Sequence, residues 1–312
     1  MPQPLTPEQA YEAELALRLR ERARLILAGE YQVLTALAEA RTQIMATLAS
    51  QPADWQQWQL SRLLGQIDDV LQGATGRAGV LLDARMRELE LAGEHIVDKP
   101  LAAAGYNVGL LLPQLDVPVL KQIRAFAALR LKDVGTVAAQ KIGRELSLVT
   151  IGGQTPFDAI RAVQKVLGAD NVQRATTIVH TEASRAFAVA SDARLVQAAP
   201  LVPGLGKQWR RSGKIHSRWN HDIMDGQVME VGKPFKVPNP GGGFDMMKFP
   251  HDPTAPAEQV IRCGCISLPH FKSWEVMTPG AKPFTDMELK LDGRKAALDL
   301  AAKRAGRRKE GP

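Results

Sequence analysis

The chain has 312 residues, 45% of them hydrophobic and 23% charged, which excludes disorder throughout and a fibrous repeat and leaves room for two domains. Forty Lys and Arg against 33 Asp and Glu give a net charge of +7, compatible with DNA, RNA or another polyanion as neighbour but mild for this length. Two cysteines, at positions 263 and 265, exclude a disulfide framework.

The start, Met1-Pro2-Gln3-Pro4-Leu5, lacks the basic opening and apolar run of a secretory signal. The most apolar stretch, Leu101 to Leu112, is interrupted by Asn107 and falls short of the roughly 20 residues a membrane span needs. The expectation is a soluble chain made in a reducing compartment, with no membrane partner.

In chain order, Thr6-Pro7-Glu8 is a helix start: a hydroxyl cap, proline at the first position, an acid in the first turn. Leu15, Leu19, Ala23, Ile26, Val33, Leu37, Ala40, Ile44 and Leu48 then recur at helical spacing. A second helical stretch is predicted from about Pro52 to Glu94, with Gly65, Gly73, Gly76 and Gly79 as weak points. A third covers Val117 to Leu148. Thr155-Pro156 opens a short one ending near Gly168, and the last runs from about Asn171 to Ala198. Scarce aromatics (5%) and abundant Ala and Leu agree with helix.

Past Pro200 the composition changes. Most prolines, the Gly241-Gly242-Gly243 run, both cysteines and four of six histidines lie between Pro200 and Pro283. Short extended pieces fit Gln208 to Arg210, Pro234 to Val237 and Gln259 to Leu268. Asp286 to Pro312 reads as a basic amphipathic helix and tail, with Lys303, Arg304, Arg307, Arg308 and Lys309 against Glu310. The expected class is mainly α with a small α+β C-terminal module. The expected division is a helical region over 1–170, a compact Pro/Gly-rich module over 171–283 and a basic helical tail over 284–312.

Three constellations carry chemistry. Lys207, Arg210, Arg211, Lys214 and Arg218, interleaved with Trp209 and Trp219, combine cations with stacking surfaces as a nucleic acid would require. The competing reading is a solvated turn whose tryptophans plug a small core. His216, His221, His251, Cys263 and Cys265 are residue types that bind tetrahedral zinc, which a module with a thin core could use to define its fold. Cys263, Cys265 and His221 with His251 or His216 would be the ligands. Against this, C-x-C is tighter than common zinc-finger spacing, and two small thiols on one face of a strand would simply fill the core. Finally, His221 with Asp222, Asp225 and Glu258 could serve acid/base or metal chemistry, as in a nuclease or hydrolase. Asp225-Gly226 is equally a turn signature. Without metal, His221 would contact Glu258 or a backbone carbonyl.

One ordered string links these features: Thr181-Glu182 on a helix, Trp209, His221, Asp225-Gly226-Gln227, Pro234-Phe235, Asp252-Pro253, Glu258, then Cys263 and Cys265 before Leu268-Pro269. It resembles the phage Mu F-like minor head proteins, or head morphogenesis proteins. Two positions depart from that pattern: His180 stands where the family has Arg, and Arg262-Cys263-Gly264-Cys265 replaces Asn-Cys-Arg-Cys. The resemblance spans Thr181 to Pro269, and nothing before it carries a family motif.

The resemblance implies a non-enzymatic virion component of a tailed phage or prophage, with no catalytic residues and no required cofactor. It would be present in several copies per head and be made in the host cytoplasm. It would associate with the portal and major capsid proteins and act in head assembly, DNA packaging or delivery. Lys207, Arg210, Arg211, Lys214, Arg218, Arg304, Arg307 and Arg308 would then face packaged double-stranded DNA through contacts that read no sequence. The alternatives are a metal-dependent enzyme acting on nucleic acid and a zinc-stabilised DNA-binding module.

Overall fold

The computed structural model describes residues 4–50, 57–212, 218–239 and 241–274. Of these, 68% are helical and 9% are in strands, so the chain is mainly α with a small sheet-containing C-terminal region. Five helices come first: α1 (Pro7–Ala49), α2 (Gln57–Ala103), α3 (Pro118–Thr150), α4 (Pro156–Lys165) and α5 (Asn171–Ala198). Then follow β1 (Leu205–Arg210), α6 (Trp219–Asp222), β2 (Val228–Glu230), β3 (Phe235–Pro238), β4 (Phe244–Met247), α7 (Ala257–Val260) and β5 (Ile266–Phe271). The predicted tail lies outside the described residues, as do Lys214, His216, Arg304, Arg307 and Arg308. No helix among the described residues is long and apolar enough to cross a membrane.

The predicted helix starts have their physical causes in place. Thr6 Oγ1 accepts from Gln9 N at 3.2 Å while Gln9 Oε1 accepts from Thr6 N at 3.0 Å, a reciprocal cap. Thr155 Oγ1 accepts from Asp158 N ahead of Pro156, at the first turn of α4. The glycines of the second stretch do not break α2. Gly79 instead admits Ala128, whose Cβ lies 3.4 Å from where a Gly79 Cβ would stand. One expectation fails locally: Gln259 to Leu268 is not continuously extended. Its first part belongs to the short α7, and the strand begins only at Ile266.

The chain forms two compact units from non-consecutive segments. Among the described residues, one comprises 4–22, 90–117 and those from 184 to 274, the other those from 23 to 89 and 118–183. Helices α1, α2 and α5 each contribute to both units, and the expected boundary at 283 lies outside the described residues. A helix of 43 residues is about 65 Å long, more than one small domain spans.

In the unit of 23–89 and 118–183, Ile44, Leu48, Leu63, Ile67, Leu71, Ile142 and Leu146 are among a buried aliphatic cluster that α4 closes with Ala159 and Val163. Their helical spacing puts them on single faces of their helices. Gly135 allows close approach, since a Cβ there would sit 3.1 Å from Thr75 and 3.3 Å from the Leu71 carbonyl. Glu30 receives Thr176 Oγ1 at 3.1 Å and pairs with His180 Nε2 at 2.8 Å.

The other unit contains the sheet, in the order β2-β1-β5, all antiparallel, and the β3-β4 hairpin. Register sets Trp209 opposite Ser267 and Lys207 opposite Pro269. Tyr11 from α1 donates its hydroxyl to the Pro269 carbonyl and packs edge-on against Trp274 at 5.0 Å. On the helical side Arg194 grips Asp98 in a fork, Nε to Oδ1 at 2.8 Å and Nη2 to Oδ2 at 2.7 Å. Gly93 of α2 meets α5 so closely that a Cβ would lie 2.6 Å from the Phe187 carbonyl oxygen.

Candidate functional site: a buried histidine and two thiols

The site is assembled from three short segments, each held by local chemistry. α6 carries His221, and the turn after it closes through Asp225 and Gly226. The Asp225 carboxylate accepts from Arg211 N at 3.0 Å, and Gly226 takes a positive φ of 82° that favours glycine. Gly226 N then donates to the Trp209 carbonyl at 2.9 Å, tying the turn to β1. The expected turn at Asp225-Gly226 is present, but the Asp225 carboxylate bonds the backbone of Arg211 after β1 and not that of its own turn.

His251 follows from a second turn, which Asp252 organises. Its carboxylate accepts from Lys248 N at 2.8 Å, Thr254 N at 2.9 Å and Thr254 Oγ1 at 2.7 Å. His251 is held at φ 70°, in the left-handed region.

The cysteines lie in the third segment, between α7 and β5. Arg262 takes φ 55°, so the chain reverses just ahead of Cys263. Cys265 N donates to Cys263 Sγ at 3.4 Å, which curls the C-x-C loop around the first sulfur. This corrects the alternative that placed both thiols on one face of a strand. They are buried, but in the loop before it.

These segments converge on His221. Its Nδ1 stands 3.4 Å from Cys263 Sγ and 3.6 Å from Cys265 Sγ, and its ring meets Trp209 edge-on at 5.5 Å. One donor atom from each of His221, Cys263 and Cys265 lies within 4.8 Å of the others, and all three residues are buried. Met224, Phe235, Val237, Met247 and Val260 surround the group.

The opposite ring nitrogen, Nε2, faces Gln259 Oε1 at 2.8 Å, not Glu258, which is exposed. Gln259 Nε2 donates to Asp245 Oδ2 at 2.6 Å, which fixes the amide with its oxygen toward the ring. Asn220 Nδ2 donates to the same oxygen at 3.0 Å and to the Pro238 carbonyl at 2.7 Å. His221 Nε2 therefore carries the hydrogen, and in the neutral ring Nδ1 presents its lone pair to the thiols. Sequence reading missed Gln259, Asn220 and Asp245. The one available signal was that adjacent helix residues point about 100° apart, so Glu258 and Gln259 cannot both face inward.

Hydrogen bonding from Cys265 holds the Cys263 thiol well below its ordinary range against the effect of burial, with help from the imidazoles of His251 and His221. The same bond, with burial, raises Cys265. His251 is fully buried with the Cys263 thiol as its hydrogen-bonding neighbour, and neither ring nitrogen reaches a nitrogen or oxygen partner among the described residues. Burial lowers its pKa, Cys263 opposes that, and Arg22 and Arg185 reinforce it.

Of the residues expected to face DNA, two are internal. Lys207 is 0% exposed; its Nζ donates to the Lys248 carbonyl at 2.6 Å and lies 3.3 Å from Asp192. Arg211 is buried with Asp222 at 3.5 Å and Asp225 at 3.7 Å. Period-two alternation would turn them outward only if one face of β1 met solvent, and both faces of Leu205–Trp209 are covered. Arg210 and Arg218 are half-buried. Trp209 fills the core and Trp219 is half-buried.

Thr181 and Glu182 lie buried on α5 in the other unit, where Glu182 pairs with Arg130 at 3.8 Å. The grouping of His221, Asp225 and Glu258 as acid and base is not assembled as expected. Both His221 nitrogens are engaged by Gln259 and the thiols, and Glu258 faces solvent. Compared with protein-family models, curated proteins and solved structures, the chain matches none.

Proposed function

We propose that this chain is a minor head protein of a tailed phage or prophage, a non-enzymatic component acting in head assembly, DNA packaging or DNA delivery near the portal. One observation carries the reading. Trp209, His221, Asp225, Asp252, Cys263 and Cys265, spread along the motif string, all turn inward within one compact unit. Motif residues used in this way define a module's framework, and leave partner recognition to its surface and to long helices. His221, the strongest catalytic candidate, is about 1% exposed and cannot meet a polymer without opening the core.

In this role the portal and major capsid proteins are the protein partners, and the site of action is the virion head after assembly in the host cytoplasm. Packaged DNA would be met by cations other than Lys207 and Arg211. Mass spectrometry of purified virions, with deletion of the coding sequence, tests the proposal: the protein should be in the particle, and deletion should yield defective heads or unpackaged DNA. Its absence from virions together with normal heads would overturn it. Cleavage of DNA in the presence of divalent metal, abolished by His221→Ala, would establish the enzymatic alternative instead.

A further inference from the structure

We infer that Cys263, Cys265, His221 and His251 form a tetrahedral site for one structural divalent cation of the zinc type. The inference stands independently of the head-protein reading, because it rests on the donor atoms alone.

The first argument is the number of demands on one lone pair. Nδ1 of the neutral His221 ring can accept one well-directed hydrogen bond, yet two sulfurs stand 3.4 and 3.6 Å from it. A cation shared by nitrogen and sulfur uses all three atoms at once. Zinc bonds of about 2.0–2.1 Å to nitrogen and 2.3 Å to sulfur, at a tetrahedral angle, set a nitrogen-to-sulfur edge of about 3.6 Å. Both distances lie close to that edge.

The second argument is His251. A fully buried imidazole whose ring nitrogens meet no nitrogen or oxygen partner among the described residues, and have only the Cys263 thiol beside them, is costly to keep. Here it is also held at a left-handed backbone angle. It lies beside Cys263, outside the tight group of three donors, and supplies the fourth donor that a closed structural site requires. A ligand role accounts for its burial, its place beside the Cys263 thiol and its left-handed backbone together.

The third argument is orientation. Ligating histidines generally donate their other ring N–H to a fixed oxygen. The Asp245–Gln259–His221 chain does this and aims Nδ1 at the sulfurs. The N–H of Cys265 on Cys263 Sγ favours the thiolate that a metal needs. On binding, each thiol releases its proton to solvent. Two thiolates and two neutral imidazoles around a dication make an electrically neutral centre, suited to an apolar surround.

The test uses the full chain, purified under reducing conditions from zinc-supplemented cells, with metal content measured by mass spectrometry and cobalt exchanged for zinc. One zinc per chain, a thiolate-to-cobalt charge-transfer band and tetrahedral ligand-field bands are expected. A chelator that strips the metal should lower the melting temperature. Wild-type protein without zinc, and without a cobalt band on titration, overturns the site whether or not any variant folds. Cys263→Ser and Cys265→Ser should lose the charge-transfer intensity. A metal retained with unchanged spectrum in either would place it elsewhere and overturn the assignment. His251→Gln should weaken binding at least tenfold, and unchanged affinity there would remove His251 from the ligand set and overturn the four-ligand site.

Discussion

Gln259 Oε1 lies 2.8 Å from His221 Nε2, and the other end of the same amide lies 2.6 Å from Asp245 Oδ2. One side chain thereby ties α6, α7 and the β3-β4 hairpin into a single buried network and decides which nitrogen of His221 faces the sulfurs. Gln259→Leu removes the acceptor for both His221 and Asn220 and a donor to Asp245. Unfolding by denaturant should show a loss of about 1–3 kcal/mol for the buried groups left unsatisfied. A variant as stable as the parent would show that the network has no such organising role.

Lys207 and Asp192 form a buried pair at 3.3 Å. Burial lowers the lysine and raises the aspartate, so each pays for desolvation that its partner only partly offsets. Lys207→Met leaves the carboxylate uncompensated and should cost about 3–5 kcal/mol. Lys207→Met with Asp192→Leu should recover much of that loss, as a double-mutant cycle would show. Non-specific DNA binding by folded Lys207→Met should keep the salt dependence of the parent, because a side chain at 0% exposure reaches no phosphate.

Gly93 and Gly76 are both helical, and their surroundings set opposite outcomes for alanine. A Cβ on Gly93 would lie 2.6 Å from the Phe187 carbonyl oxygen and 2.9 Å from Ala190 Cβ, whereas nothing lies within 4 Å of one on Gly76. Gly93→Ala should destabilise by about 1–3 kcal/mol as α2 and α5 are forced apart there. Gly76→Ala should stabilise by about 0.5–1 kcal/mol through helix propensity. Thermal melts of the two variants check the contrast in sign.

Acid should destabilise the unit that holds the sheet. Burial keeps His270 and His95 below their ordinary value of 6.5, with Lys99 acting in the same direction on His95. The unfolded chain then binds protons that the folded chain resists, so stability rises with pH across this window. The contribution is complete above about pH 6.5 and is lost as pH falls through the interval down to the folded values. Melting temperatures across that interval should fall on acidification, and His270→Gln should flatten the fall.

The helices were legible because their causes are local. The Thr6 and Thr155 caps, the proline after each, and the apolar period of α1 are written within a few residues of where they act. The change of composition past Pro200 likewise marked the small sheet region, and the expectation of a mainly α chain with a small α+β module holds. The site is legible by residue type: His221, Cys263 and Cys265 are metal-binding residue types, and the fold brings them together.

By itself, then, the sequence determined helix positions, the α-rich class and the donor types, since each depends on neighbours along the chain. Only the tertiary structure decided which charges are internal, which acceptor holds His221 and which glycine meets another helix. Lys207 is a surface cation until both faces of β1 are covered, and Glu258 is as good a partner as Gln259 until one turn of helix selects the inward residue. Burial and orientation arise from segments distant in sequence, so these outcomes required the packed chain.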